Sequence, residues 1–350
     1  MQDKIISMTP ISDDEGMGDP LRPQRLDSFV GQREIVDNLH VYIDAAKARG
    51  EPLDPVLFNG PPGIGKTTLA RILANEMGAH IHITSGPAIR NSAEMAYLLT
   101  KVKKGDVVFI DEIHATNVKA LESAYSAITD GIMDIVTGSR DHPEVHSMKI
   151  PAFTLIGATT RVAKLPAPLR DRFGIQETLS YYMPDELSVI VDHSATILNV
   201  KLDPGVAAII GQSARGVPRI ANRLLRRVRD FAMAASRSTV DPNTVHNAME
   251  RMGIDHLGLT IMDRKMMRIV INDYSTKPIG LSTIASEMSE SPQTIEEVFE
   301  PYMIQTGLLQ KTAMGRLLTP RGIEHLRLLG ELPPKPDSET EARGDIDGKE

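Results

Sequence analysis

The chain has no cysteine and no tryptophan among its 350 residues, and aromatic side chains make up only 4% of it. Without cysteine there is neither a disulfide framework nor a thiolate metal site. So few rings argue against a platform that holds single strands by stacking bases. No apolar run approaches the roughly 18 residues a membrane helix needs. The opening segment is acidic and polar, with no apolar core of a secretory signal. These absences lead us to expect a cytoplasmic protein with no membrane partner.

What is present is ordinary for a soluble protein: 41% hydrophobic and 24% charged residues. The length leaves room for two or three domains, each with its own core. A net charge of −7 opposes wholesale attraction to nucleic acid, but affinity depends on which charges meet phosphates. The basic residues do cluster, most densely in RGVPRIANRLLRRVRD (215–230).

The first twenty residues, with Asp13, Asp14, Glu15, Gly16 and Gly18, read as a loose tail. The segment 333–350 is acidic and nearly devoid of apolar residues, so it reads as disordered. Between them, PVLFNG (55–60), HIHIT (80–84), DVVFIDE (106–112) and FTLIGATT (153–160) read as strands, with a helix over 66–77. Continuous apolar runs separated by helices predict an α/β fold with a parallel sheet covered on both faces. The segment 133–150 has two β-like arms around a Gly/Ser/Asp/Pro tip, which signals a hairpin. After Tyr182 the pattern becomes helical, and Pro184 and Asp185 suit a helix start. From Thr260, three helical segments precede a β-ribbon over 307–322, the order of a winged helix. The expected organisation is a nucleotide-binding domain (1–182, tail included), a small helical domain (183–255), a winged-helix domain (256–332) and the tail 333–350.

GPPGIGKT (60–67) fits the phosphate-loop pattern between a strand and a helix. Its glycines, Gly63 and Gly65 among them, let backbone N–H groups close on phosphate oxygens. Lys66 should reach the β- and γ-phosphates, and the Thr67 hydroxyl should bind Mg²⁺. FIDEIH (109–114) ends an apolar run in two acids. Asp111 suits the metal shell, and Glu112 suits the base that activates a water, which favours hydrolysis over transfer to a metabolite. Thr160, or less readily Thr159, ends the next strand where it could bond that water or the γ-phosphate. Arg170 and Arg172 follow in LPAPLRDRFG (165–174); they read as arginine fingers or simply as a surface pair. Arg219, at a helix start, could reach back over the phosphates. His114 receives no role.

Together these stretches resemble the AAA+ ATPases, and among them the RuvB family of bacterial Holliday-junction branch-migration motors. The likeness runs over about 21–329 and includes LRPQRLDSFVGQ, TSGPAI, FTLIGATTR, PLRDRFGI, RIANRLLRRVRDFA and TIEEVFEPYMIQTGLLQ. The resemblance implies an AAA+ core, a helical lid and a winged-helix head in a homohexameric ring that pumps duplex DNA with ATP and Mg²⁺. It implies that Leu21 and Arg22 lie beside the adenine, that Gly63, Lys66, Thr67 and Thr68 hold phosphates and Mg²⁺, and that Thr160 is the first sensor. By the same resemblance Arg172 is the finger given to the neighbour, with Arg170 beside it, and Tyr182 and Arg219 close over the nucleotide. Lys311 and Arg316 would touch DNA phosphates from the wing. The hairpin 133–150 would dock a RuvA-like junction-binding protein, and a RuvC-like resolvase would join the wider complex. Val145, Met148 and Ile150 make the hairpin's return arm apolar: either they face the partner, so that docking is apolar, or they pack down onto the parent domain, since hairpins alone are marginal. The sequence departs from the family pattern at Ala115 after DEIH, at Pro143-Glu144 in the hairpin, in ITDGIMD (128–134), and at Lys311, where arginine is usual.

Two other classes share parts of this array. A protein remodeller or loader has the same core but needs no wing, and the aromatic pore loop that would favour it is missing. A nucleotide switch that never hydrolyses could dispense with Glu112 and Arg172.

Overall fold

The computed structural model describes residues 20–139, 142–272 and 277–333, and the two expected tails lie outside them apart from Pro20 and Pro333. The chain divides after Ala248 into two compact units.

The first unit is built on five parallel strands: β1 (Val56–Asn59), β2 (Ile81–Ser85), β3 (Val107–Asp111), β6 (Thr154–Thr159) and β7 (Ile175–Thr178), in the spatial order β2-β3-β6-β1-β7. Helices α1 (Arg33–Arg49), α2 (Lys66–Glu76), α3 (Ser92–Leu99) and α4 (Val118–Asp130) connect or cover them. Every residue of β6 is buried, as expected for a strand covered on both faces. The chain leaves β1, runs out to β2, and returns through β3 to β6 beside β1. That reversal opens a crevice at the carboxyl ends of the strands, where α/β sheets bind ligands. The register brings Asn59 level with Thr159 and Ser85 level with Asp111. The phosphate loop, the acidic pair and the threonine pair therefore emerge at one edge. Strand β7 escaped the sequence reading: it is a four-residue edge strand, only partly buried, and follows a turn rich in charge.

Strands β4 (Ile132–Ser139) and β5 (His142–Lys149) form the expected antiparallel hairpin, with Met133 opposite Met148. Its base decides between a free apolar arm and one packed onto the parent domain, in favour of packing. Met133 and Ile150 are buried in one core with Tyr125, Leu155 and Phe173, and Met148 packs against that core. Alternation along β5 turns Met148 and Ile150 inward while Ser147 and Lys149 face water. The side chain of Val145 lies outside the described residues.

Beyond a short helix α5 (Ala167–Arg170), four helices complete this unit: α6 (Pro184–Ile197), α7 (Val206–Gln212), α8 (Pro218–Ala234) and α9 (Pro242–Arg251), whose end crosses into the second. Helix α8 buries Ala221, Leu224, Leu225, Val228 and Ala232, the spacing of one apolar face. Its start is tied to the sheet edge, where Arg219 N donates to Gly63 O at 3.3 Å and Tyr182 N donates to Gly216 O at 2.9 Å.

The second unit packs α10 (Ile261–Asn272) and α11 (Leu281–Met288) with a helical run over 292–305 and a terminal helix Pro320–Leu328 around Leu259, Met266, Ile284, Met303 and Leu326. The helical run widens to a π turn at Ile295–Phe299, with Glu300 N donating to Ile295 O. Pro301 follows at once, lacks an N–H, and would crowd the carbonyl four residues back; the wider turn relieves this. Strands β8 (Leu309–Thr312) and β9 (Gly315–Leu318) form the wing. Ile279 extends it by exchanging both backbone bonds with Arg316, at 2.9 and 2.8 Å. This is a winged helix.

Candidate active site

The phosphate loop joins β1 to α2, so it ends at a helix N-terminus with its first N–H groups unpaired by the helix itself. Gly63 has φ +79, and a Cβ there would stand 2.9 Å from Val217 and 3.1 Å from Arg219. Only glycine combines that conformation with so close an approach of the helical region. Gly60 N donates to Thr159 O at 3.2 Å, which pins the loop to β6. Lys66 is 7% exposed, and its ammonium donates to Gly60 O at 2.7 Å and Pro61 O at 2.8 Å. Burial lowers its pKa to about 8, although Glu112 and Asp111 act to raise it and Arg219 adds to the lowering. A buried cation facing two carboxylates across a glycine cradle fits a triphosphate with its magnesium ion. Thr67 and Asp111 are the oxygen donors that would hold that ion.

The acidic pair sits where β3 ends. Asp111 is its last residue, and Glu112 turns off it in the left-handed region, φ +47 and ψ +48. That turn is unusual for a side chain larger than asparagine and marks a functional constraint. It aims the Glu112 carboxylate at the end of β6. Thr160 Oγ1 donates to Oε2 at 3.1 Å, and Thr160 N donates to the same oxygen at 3.3 Å. Of the two threonines, Thr160 faces Glu112. Thr159 is fully buried and its hydroxyl lies 2.9 Å from Nδ1 of His114. The same Nδ1 is 3.1 Å from Glu112 Oε2. His114, given no role from the sequence, thus touches both Glu112 and the end of β6. Its spacing in DEIH, three residues past Asp111 on a short turn, was the available signal. Gly86, in TSGPAI, is the second residue missed: a Cβ there would stand 2.2 Å from Glu112 O, so the strained turn at Glu112 requires a glycine beside it.

Leu21 and Tyr182 are buried and Arg22 is half-buried. Arg22 stands near enough to Arg71 on α2 to lower its pKa, second to burial. The Tyr182 hydroxyl donates to Ile64 O at 3.2 Å, and burial pushes the phenol above its usual pKa. Phe29 lies against Gly65, where a Cβ would meet its ring at 3.1 Å. Phe29 sits in the quoted LRPQRLDSFVGQ but went unremarked, since a lone phenylalanine carries no chemistry of its own. Arg219 reaches this site from the start of α8, as its bond to Gly63 shows. Arg170 ends α5, half-buried; Arg172, two residues on, is exposed and lies over the Tyr125 ring, 5.5 Å from its centroid.

The wing cations are placed differently from the expectation that both face DNA. Lys311 and Arg316 are directly opposed across β8 and β9, and like charges so placed repel. Two acids from the preceding helical run offset this. Arg316 is 6% exposed and forks onto Glu300, Nε to Oε1 at 2.6 Å and Nη2 to Oε2 at 3.2 Å. Lys311, half-exposed, donates to Glu296 at 2.9 Å. Arg316 therefore staples the wing to the helix, and only Lys311 presents its charge outward.

Comparison with known proteins agrees along nearly the whole chain. Residues 21–179 match the family described as the Holliday junction DNA helicase RuvB P-loop domain, residues 182–255 the RuvB AAA lid domain, and residues 256–327 the RuvB C-terminal winged helix domain. The chain is similar to the Holliday junction branch migration complex subunit RuvB of Paramagnetospirillum magneticum, with 46% identity over 96% of this chain and 95% of the relative. It is similar to the subunit of the same name from Lacticaseibacillus casei, with 48% identity over 89% and 92% of the two chains. Among solved structures, it resembles the RuvB Holliday junction branch migration motor of Thermotoga maritima at TM-score 0.78 and 42% identity, covering 88% of this chain and 98% of that one.

Proposed function

The chain belongs to the RuvB family and is an ATP-dependent motor of Holliday-junction branch migration, and from that premise we propose how its residues do the work. Lys66, with Gly63, Gly65 and Thr68, holds the phosphates, and Thr67 and Asp111 hold magnesium. When bound, magnesium-ATP supplies the phosphoanhydride bond whose cleavage powers the motor. Glu112 takes the proton of the attacking water, and Thr160 orients both. Leu21, Arg22 and Tyr182 bound the adenine side. Arg219 couples the nucleotide to α8 and hence to the helical lid.

Arg172 is given to the site of a neighbouring copy, with Arg170 beside it, so catalytic sites form between the subunits of a homohexamer. Its exposure beyond α5 supports this. The winged helix meets duplex DNA with Lys311 as its outward cation. The far part of the hairpin, beyond the buried Met133, serves as the dock for a RuvA-like junction-binding protein, and a RuvC-like resolvase completes the assembly in the cytoplasm. Among the described residues no helix is long and apolar enough to cross a membrane.

The observation that carries this reading is the Glu112 carboxylate, held by Thr160 and facing a buried Lys66. Glu112→Gln should keep ATP bound and slow hydrolysis by about 10²-fold or more, because the water loses its base. Unchanged turnover would contradict the assignment.

A further inference from the structure

We propose that His114 is a positioning residue for Glu112: its ring, hydrogen-bonded through Nδ1 to Thr159, braces the base against the end of β6. The proposal rests on the reading of Glu112 as the water-activating base.

Three distances carry it. Nδ1 lies 3.1 Å from Glu112 Oε2 and 2.9 Å from Thr159 Oγ1, while Thr160 holds Oε2 at 3.1 Å from the other side. Nδ1 makes its hydrogen bond to Thr159, with the carboxylate oxygen close beside it. The tautomer with hydrogen on Nδ1 is favoured, because it turns the positive end of the N–H dipole, not a lone pair, toward the negative carboxylate. The His114 side chain is 12% exposed against 39% for Glu112, so the ring is the rigid partner and the carboxylate the one that can move.

The ring is held in turn. Thr159 is fully buried and its hydroxyl also accepts from Arg161 N at 2.9 Å. Burial depresses the imidazole pKa, Glu112 opposes that, and Arg161 and Lys164 add to the depression, so the group works as a neutral donor. His114 thus supplies geometry. Glu112 occupies a left-handed turn at the start of a short helical turn over 113–115, its carbonyl accepting from Ala115 N at 2.9 Å, but without the ring its carboxylate would have Thr160 alone to direct it. A misplacement of about 1 Å in a reacting group can cost on the order of 10²-fold in rate.

The test uses the full chain with ATP, measuring kcat and KM for His114→Ala, His114→Asn and His114→Gln. The asparagine amide can place an N–H where Nδ1 stands; the longer glutamine amide reaches the Nε2 position and misses. His114→Ala should lower kcat by about tenfold or more with KM for ATP within about twofold, the mark of an interaction made on the reaction path. His114→Asn should recover to within about threefold of the parent and His114→Gln should not. Parental kcat in His114→Ala, or equal loss in the asparagine and glutamine variants, overturns the proposal. Should His114→Ala fail to fold, the asparagine–glutamine comparison decides alone. A Glu112→Gln chain run in parallel separates the two readings. If it hydrolyses ATP normally, the base assignment falls and takes this inference with it; if it is inactive while His114→Ala is not, only the inference falls.

Discussion

At the scale of single residues, the site is arranged around a lysine that is uncomfortable without its ligand. Lys66 has its pKa lowered from 10.5 to about 8 by burial. A nucleotide's phosphates would supply the missing countercharge and raise it again. ATP affinity should then be fully present below pH 8, where Lys66 is already protonated, and fall as pH rises above it, where binding must first recruit a proton. Titrating a fluorescent ATP analogue between about pH 7 and 9.5 checks this; a flat profile would exclude Lys66 as the phosphate contact. Most of the site was legible in sequence because the phosphate loop and the acid pair are read by spacing along one chain. His114, Phe29 and Gly86 were not, because their roles exist only across elements. The ring meets a threonine 45 positions away, and Gly86 is needed for the carbonyl of Glu112, just past the end of the neighbouring strand.

Among elements, the winged helix shows where composition misled, and the hairpin where it left two readings open. A cation pair on a β-ribbon reads as a phosphate contact, and nothing in KTAMGR shows that Glu296 and Glu300 stand one helical turn apart facing it. Arg316 and Glu300 are both almost fully buried. Removing the guanidinium leaves a buried carboxylate unpaired, at a cost of about 3–5 kcal/mol. Arg316→Ala should therefore unfold at lower urea concentration, whereas half-exposed Lys311→Ala should unfold like the parent. On duplex DNA, Lys311→Ala should reduce the salt slope by about one unit, equally on unrelated sequences. An Arg316→Ala chain of parental stability would refute the staple. In the hairpin, period-two alternation announced the arms, but which of them had a core to enter depended on Tyr125 and Phe173 from other elements. Met148→Ser should consequently lower the melting temperature, so it is unsuited to probing partner docking. An unchanged melting temperature would put Met148 outside the core. The four principal strands were readable as apolar runs. The edge strand β7 was not, since an edge needs apolar residues on one side only.

For the whole molecule, net charge and composition say little about a motor, because DNA affinity and catalysis are local. The decisive feature is that Arg172 lies exposed past α5 while Lys66 and Glu112 are recessed in the crevice. If Arg172 completes a neighbour's site, then Arg172→Ala and Lys66→Ala chains, each inactive alone, should regain ATPase activity when mixed. Activity should peak at intermediate ratios, where some interfaces pair an intact loop with an intact arginine. Mixed rings with no activity at any ratio would rule out the finger in trans.

If Glu112 is the base, its hydrolysis of ATP drives movement of a DNA junction. A synthetic four-way junction with a RuvA-like partner, magnesium and ATP tests it most directly, with separation into two duplexes as the readout. The parent chain should convert the junction; Glu112→Gln should bind ATP and junction yet leave the arms joined. Conversion by Glu112→Gln at the parental rate, or no conversion by the parent under the same conditions, would mean that hydrolysis at Glu112 does not drive the junction.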